Sequence, residues 1–534
     1  MEHGKASIVI VCLFILLTII GLFTVDGYGA PYDELVEMII LRSNAKEYAL
    51  RLEGEDSQSF FATLPGTRIS RNIERDHGLC AYYPLIPFLS HLQPVINQYS
   101  TVWSILTWLW FMVGCLSLYG LMRQMNVSRL VSFAAVLLLY LSPRFFAEGH
   151  YNNKDVVLLC LFLLTLWQGA RFLHKPVMGR GLLFSFAGAM ATNIKIVGIL
   201  PWSLIGLAAL VWLSVNHRWS RKMLGVACGT LLSYAFFYLL LTPAMWEDPM
   251  DFIRYVIANA TGFTRFGGVV IFRGADFYDI GGSTPLPWYY LPYYMMVSIP
   301  LYTVILSAFG QLRTFHMILT QRADALKNKN SLLLLVVSLA WLLPMIFCMV
   351  MKPLMYNGWR HFYFVYAGFV IMAGFGLNTL WEYARPHRKR RTLIACAMAS
   401  CYCLTGIGLV LNHPFQFAYF NPLVPRDAQY RMDMDTWNVG PAGAFTRLYK
   451  LKEEEDSILR VGCYFNDIKI GAFKLPSHIR DRLVVTAEWD EPYLYYGSTY
   501  AHIYWVKEPP EGYRTLFKVQ SYGNTLGVMY ERDE

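Results

Sequence analysis

The sequence predicts a mainly α, polytopic membrane protein of about eleven transmembrane helices, followed by a small C-terminal α/β extracytoplasmic domain. Three observations lead there. Hydrophobic residues make up 55% of the 534-residue chain and charged residues 16%, against roughly 25% charged in soluble domains. Charge-free runs of span length recur through residues 1–411, whereas residues 412–534 hold 14 basic and 17 acidic side chains. Basic residues also concentrate in alternate connecting loops. The same composition excludes disorder, coiled coils and collagen-like repeats.

The first run, Ala6–Val25, reads as a retained helix rather than a cleaved leader, because Gly27-Tyr28-Gly29 is a weak cleavage site and further spans follow. Spans are then expected at Tyr99–Met122, Leu130–Leu141 and Val156–Ala170. The stretch Gly181–Ser214 is long for one span and short for two, and Lys195 and Pro201 interrupt it. It reads as two helices meeting at a tight turn near Asn193–Lys195. Met223–Leu241, Trp288–Gly310, Ser331–Met351, Phe362–Trp381 and Thr392–Leu411 complete the set.

With the N-terminus inside, the inner loops hold 18 basic and three acidic residues, and the outer loops before residue 412 hold 14 and 17. The positive-inside rule then turns loops 26–98 and 243–287, together with the tail, away from the cytoplasm. The cluster Arg385–Arg391 is read as a topology anchor beside anionic lipid, not as a nucleic-acid patch, and no nucleic-acid partner is expected. The inner loops have no glycine-rich phosphate-binding motif, which argues against a nucleotide-driven motor. In the tail, Ile458–Tyr464, Arg482–Glu488, His502–Val506 and Thr525–Glu531 read as strands and Pro441–Leu451 as a helix. The domains are thus 1–411 and 412–534.

Eight of the ten cysteines lie in apolar runs, where Cys acts as a small hydrophobe. Cys80 and Cys463 lie outside them, but no bridge is expected. Asn259-Ala260-Thr261 is a sequon in an outward loop, of a kind frequent by chance.

Three polar clusters carry the candidate chemistry. Asp33-Glu34 opens an amphipathic stretch in which Leu35, Met38, Ile39 and Leu41 mark an apolar face and Glu37, Arg42, Lys46 and Glu47 lie largely opposite. The plain structural reading of the two acids is capping of a helix N-terminus. Ser142 to Asp155 gathers Arg144, Glu148, His150, Lys154 and Asp155 between apolar helices. Tyr356 to His361 places Arg360 and His361 at the start of a span, where a guanidinium suits an anion and Trp359 suits interfacial anchoring. Lys195 is the lone cation in the turn of the broken run. No charge falls near the middle of a clear span, which weighs against an ion-coupled transporter.

Together these clusters resemble the C-type superfamily of polyprenol-phosphate-dependent glycosyltransferases, nearest the branch named for dolichyl-phosphate-mannose protein mannosyltransferases and its bacterial aminoarabinose transferases. Asp33-Glu34 is similar to that family's acidic signature after the first span. Ser142-Pro143-Arg144-Phe145-Phe146 with Asn153-Lys154-Asp155, and Tyr356-Asn357-Gly358-Trp359-Arg360-His361-Phe362, resemble motifs of one bacterial subgroup. So do His413-Pro414-Phe415-Gln416, Tyr419-Phe420-Asn421 and Asp435-Thr436-Trp437. Asn152-Asn153 stands where a proline is usual before the lysine, and Thr436 where tyrosine is common; neither change removes a charged group.

The resemblance implies transfer of a sugar from a polyprenyl (undecaprenyl or dolichyl) phosphate carrier to an extracytoplasmic hydroxyl on a protein, lipid or glycan, with inversion. It casts Asp33 as general base and Glu34 as its positioning neighbour. Arg144, Lys154, Lys195, Arg360 and His361 are candidates for the donor phosphate. Asp155 and Glu148 could orient neighbours or hold a divalent cation; no other cofactor is implied. A bacterial cytoplasmic (inner) membrane is favoured over the endoplasmic reticulum. The rival class, a transporter or flippase of lipid-linked glycans, would carry polar groups along a mid-membrane path.

Overall fold

The computed structural model describes residues 2–92, 96–261, 269–277, 285–356, 358–424, 428–455, 457–464, 466–488, 493–499 and 508–533. Long apolar helices dominate it. Among the described residues seven are long and apolar enough to cross a membrane, beginning with Ser7–Gly27 and ending with Arg388–Leu411. The remaining expected spans form helices that are shorter, divided or more polar, so the count of eleven is not established by the helices themselves.

Burial explains the differences among the helices. Asp155–His174 is apolar on every side and 83% buried, because Ile96–Gln124, Met178–Ile194 and Ile199–Val215 surround it. The apolar span Ser7–Gly27 is only 11% buried and faces outward nearly all round. Leu301–Gln321 and Val365–Ala384 cross backbone to backbone. A Cβ on Gly310 would lie 2.0 Å from the Met372 carbonyl oxygen, and one on Gly376 would lie 2.2 Å from that of Leu306.

The run 181–214 divides as expected. Met178–Ile194 ends, Lys195 takes an extended backbone, and Ile199–Val215 follows after one short turn. Trp288–Gly310 is not one span. It forms Tyr290–Ser298 and Leu301–Gln321, parted at Ile299-Pro300, because proline has no N–H and drives the preceding residue out of the helical region. The Asn421 amide donates to the carbonyls of Met296 (2.7 Å) and Ile299 (2.9 Å) and satisfies the break.

The stretch after Asp33 is a helix, Glu34–Glu53, but its faces differ from the expected ones. Glu34, Glu37 and Glu47 are buried, whereas Ile39 is 49% exposed. Its carboxylates turn inward toward cations, which an apolar-inward pattern does not anticipate.

In the second large loop, β1 (Val270–Phe272) and β2 (Ala275–Phe277) form a hairpin. The tail builds a five-stranded sheet in the order β4 (Leu483–Thr486), β3 (Leu459–Cys463), β5 (Leu494–Ser498), β7 (Asn524–Arg532), β6 (Tyr513–Ser521). β3 runs parallel to β4 and β5, and β7 antiparallel to β5 and β6. Helix Gly440–Leu451 covers it through Phe445 and Leu448, against Val461, Tyr496 and Met529. β5 and β6 were not expected from sequence, and the expected strand His502–Val506 lies outside the described residues. Cys80 and Cys463 form no disulfide.

The tail sheet docks through polar contacts. Lys474 donates to the Val25 carbonyl (2.8 Å) and to Ser104 Oγ (2.9 Å). Tyr28 OH donates to Gln416 Oε1 at 2.8 Å.

Candidate active site

Asp33 sits at the N-cap of helix Glu34–Glu53, yet its side chain caps nothing. It turns instead to Arg360, whose Nη1 donates to Oδ2 at 3.2 Å. Arg360 is 7% exposed, so it is a buried cation rather than an interfacial one. Its guanidinium lies 4.3 Å from the Trp437 ring centre and 5.3 Å from that of Tyr356. The turn that presents it needs Gly358 in the left-handed region at φ 70°, and Trp359 Nε1 pins it by donating to Ser298 Oγ at 2.9 Å.

The stretch 142–153 is entirely buried. Pro143–Glu148 forms a short helix that brings Glu148 beneath the tail. Glu148 accepts from Tyr363 OH (2.7 Å), Asn152 Nδ2 (2.7 Å) and Trp437 Nε1 (3.1 Å), with Arg144 Nη1 at 3.8 Å. Burial pushes its carboxyl pKa up against those donors. Glu148 therefore orients Trp437, and through it the aromatic bed of Arg360.

Asn152 links this helix to the next by accepting from the Asp155 N–H at 2.8 Å. Lys154 is ion-paired with Glu37 and lies 3.2 Å from His77 Nδ1. Burial opposes its charge, but Glu37 and Asp33 outweigh it and its pKa is raised. Lys195 pairs with Asp155. His361 is held well below its ordinary pKa by burial and by Lys195 and Arg360, so it is neutral.

A cavity of about 470 Å³ opens among these groups. Asp33, Lys154, Asp155, Lys195, Arg360 and His361 all line it. Its wall includes Trp437 from the tail, and one lip is apolar, formed by Ile196, Val197, Phe347 and Met351. Glu34, Arg144 and Glu148 are not among its lining residues. Glu34 is buried against Lys474 and Ser100.

Sequence reasoning missed several groups here. Glu37 and His77 flank Lys154, Tyr356 and Trp437 stack on Arg360, and Lys352 lines the cavity at the end of Lys329–Met351. Only Lys352 stood out by position, as the charge directly after a long apolar run. As for a divalent cation, Asp155 is engaged by Lys195 and Glu148 by its donors. Among the described residues it is Glu74, Asp76 and His77 that bring potential ligand atoms within 4.8 Å of one another.

Residues 83–246 match the family described as dolichyl-phosphate-mannose-protein mannosyltransferase. The matched stretch contains Arg144, Glu148, Lys154, Asp155 and Lys195. Over that stretch the match bears out the resemblance read from the motifs. No curated protein matches the chain. Among solved structures, the chain is similar to ArnT from Cupriavidus metallidurans bound to undecaprenyl phosphate, at 12% identity and a TM-score of 0.48 over 97% of each chain. ArnT from the same organism in the apo state is similar at 11% identity and a TM-score of 0.48 over 98% of each.

Proposed function

We propose that the chain is a membrane glycosyltransferase that moves a sugar from a polyprenyl-phosphate carrier onto an acceptor hydroxyl by a single inverting displacement, in the cavity lined by Asp33 and Arg360. The observation that carries the reading is the meeting, in one cavity, of a partly exposed carboxylate with several cations and an apolar lip. Asp33 is 26% exposed, and Arg360, Lys154, Lys195 and Lys352 share its cavity. The lip formed by Ile196, Phe347 and Met351 suits the isoprenoid beside the phosphate.

Each chain residue then has a task. The phosphate takes charge-assisted hydrogen bonds from Arg360, Lys195 and Lys352, which stabilise the charge that grows as it leaves. As Arg360 engages the phosphate, Asp33 loses its ion-pair partner and becomes free to act as base. The acceptor oxygen bonds to the anomeric carbon while the bond from that carbon to the phosphate oxygen breaks. The electron pair leaves with the carrier, and the hydroxyl proton passes to Asp33. Neutral His361 contributes a hydrogen bond, not charge. Arg144 and Glu148 act behind the cavity by holding Trp437 and Tyr363. The acceptor approaches from the tail side, which in the orientation set by the loop charges is extracytoplasmic.

Mass spectrometry of lipid-linked sugars and glycoconjugates, with and without the gene, tests this. Loss of the gene is expected to accumulate one polyprenyl-phosphate sugar and abolish one glycoconjugate. Unchanged pools of both would sink the proposal.

A further inference from the structure

A second cavity, of about 550 Å³, lies where the tail domain meets the ends of helices Glu2–Thr24 and Arg388–Leu411. Its volume falls in the range of about 300–1,000 Å³ common for small-molecule sites. Asp26, Gly27 and His413 line one side. The other carries Arg447 and Lys450 from helix Gly440–Leu451, Lys474, and Lys518 from β6. The catalytic reading uses none of these residues.

The charge there is one-sided. Four cations face one carboxylate, Asp26, and burial holds the His413 pKa below its usual value. Lys474 is itself buried and committed to Val25, Ser104 and Glu34. Arg447 donates to the Lys518 carbonyl at 3.2 Å and lies over the Phe517 ring at 4.5 Å. Among the described residues, none of Arg447, Lys450 and Lys518 is paired with a carboxylate. In the catalytic cavity, by contrast, Arg360, Lys154 and Lys195 each have one. Like charges gathered round an unneutralised hollow repel, and an anion relieves them.

The surroundings say where the anion comes from. The two helices that end at the cavity present apolar side chains outward just below it: Phe23 is 86% exposed, and Val410 and Leu411 are each 77% exposed. Their ends meet closely, since a Cβ on Gly27 would lie 2.2 Å from the His413 ring. The hollow therefore adjoins a strip of exposed apolar surface at the ends of two helices long and apolar enough to cross a membrane.

We propose that this cavity binds the phosphate headgroup of an anionic glycerophospholipid from the leaflet on the tail side, its acyl chains lying along these two helices. Arg447 and Lys450 grip the phosphate from helix Gly440–Leu451 and Lys518 from β6, so the bound lipid ties the tail domain to the membrane surface.

Native mass spectrometry on the full chain, released from nanodiscs of phosphatidylcholine and phosphatidylglycerol, reads the outcome. Retention of phosphatidylglycerol over phosphatidylcholine by about tenfold or more is expected, as a few charge-assisted contacts would give. The combined variant Arg447→Gln, Lys450→Gln, Lys518→Gln alters three exposed side chains, and it should fold with an unchanged Tm and lose the preference. Equal retention of the two lipids by the wild type, or an undiminished preference in the variant, overturns the proposal. So does displacement by inorganic phosphate as efficient as by phosphatidylglycerol, which would mark a free-phosphate site. Asp33→Asn should retain lipid normally, so this site and the catalytic reading fail separately.

Discussion

Asp33 and Glu34 are adjacent in sequence and part company in space. Asp33 faces a cavity and an arginine; Glu34 is fully buried beneath the tail domain, beside Lys474. Burial pushes the Glu34 pKa up to about 7 and that of Lys474 down to about 8. Successive residues entering a helix point about 100° apart, so an acidic pair at a helix start serves two environments rather than one. The first can exchange protons with a bound substrate. The second fastens two parts of the molecule together.

Asp33→Asn tests that division most severely. It keeps the side chain's shape, and since Asp33 caps nothing in the wild type, no cap is lost. Turnover is expected to fall by about 10²–10⁴ with little change in donor binding. Normal transfer by the purified variant would move the base elsewhere.

Arg360→Ala comes next. A lost charge-assisted contact of about 1.5–3 kcal/mol corresponds to roughly a ten- to a hundred-fold drop in kcat/KM. Because Arg360 is packed between Trp437 and Tyr356, Arg360→Lys should recover part of the activity only, lacking the planar fork. Full activity in the alanine variant would remove Arg360 from the site.

Glu34→Gln should leave turnover within about threefold, since the side chain does not reach the cavity. Its effect belongs to the tail, where the attraction between the Glu34 and Lys474 charges is lost, seen as faster proteolysis of residues 412–534. A loss of turnover as large as that of Asp33→Asn would collapse the distinction between the two acids.

The smallest expected effect concerns a further acid, Asp433, whose Oδ2 is buried and which has no cation paired to it among the described residues. One oxygen accepts from the Ile271 N–H at 3.0 Å, and burial raises the pKa to about 7. Between its ordinary value and about 7 the folded state holds the proton that the unfolded chain releases. The stabilisation is complete below about pH 4 and is lost as the pH rises through 7. Asp433→Asn keeps the acceptor and removes the titration. The wild-type Tm should therefore fall more between pH 5 and pH 8 than that of the variant, by on the order of a few degrees. Parallel pH profiles would contradict the assignment.

Much of the site was legible because charge is scarce in this chain. Asp33, Lys154, Asp155, Lys195, Arg360 and His361 stand out against apolar runs, and all line one cavity. The partners that tune them were not legible. Glu37 looked like the solvent face of an amphipathic helix, and only the position of Lys154 shows that this face is the inner one. Trp437 belongs to a motif in the tail, and nothing local says that its ring lies against Arg360. Helix breaks showed the same limit: Lys195 announced one, whereas the break at Pro300 also depends on Asn421 satisfying the carbonyls it frees.

Trp437 has a consequence for how the molecule comes into being. The ring that beds Arg360, and the indole N–H that Glu148 orders, arrive on a segment synthesised after every long apolar helix described. A ribosome feeding this chain into a membrane finishes the helices first and supplies the last wall of the cavity afterwards. Until that wall closes, Arg360 has Tyr356 but lacks the Trp437 half of its aromatic bed, and the cavity lacks its wall from the tail. On the proposed function, the nascent chain could not consume carrier lipid during insertion, and competence would arise only on the far side of the membrane.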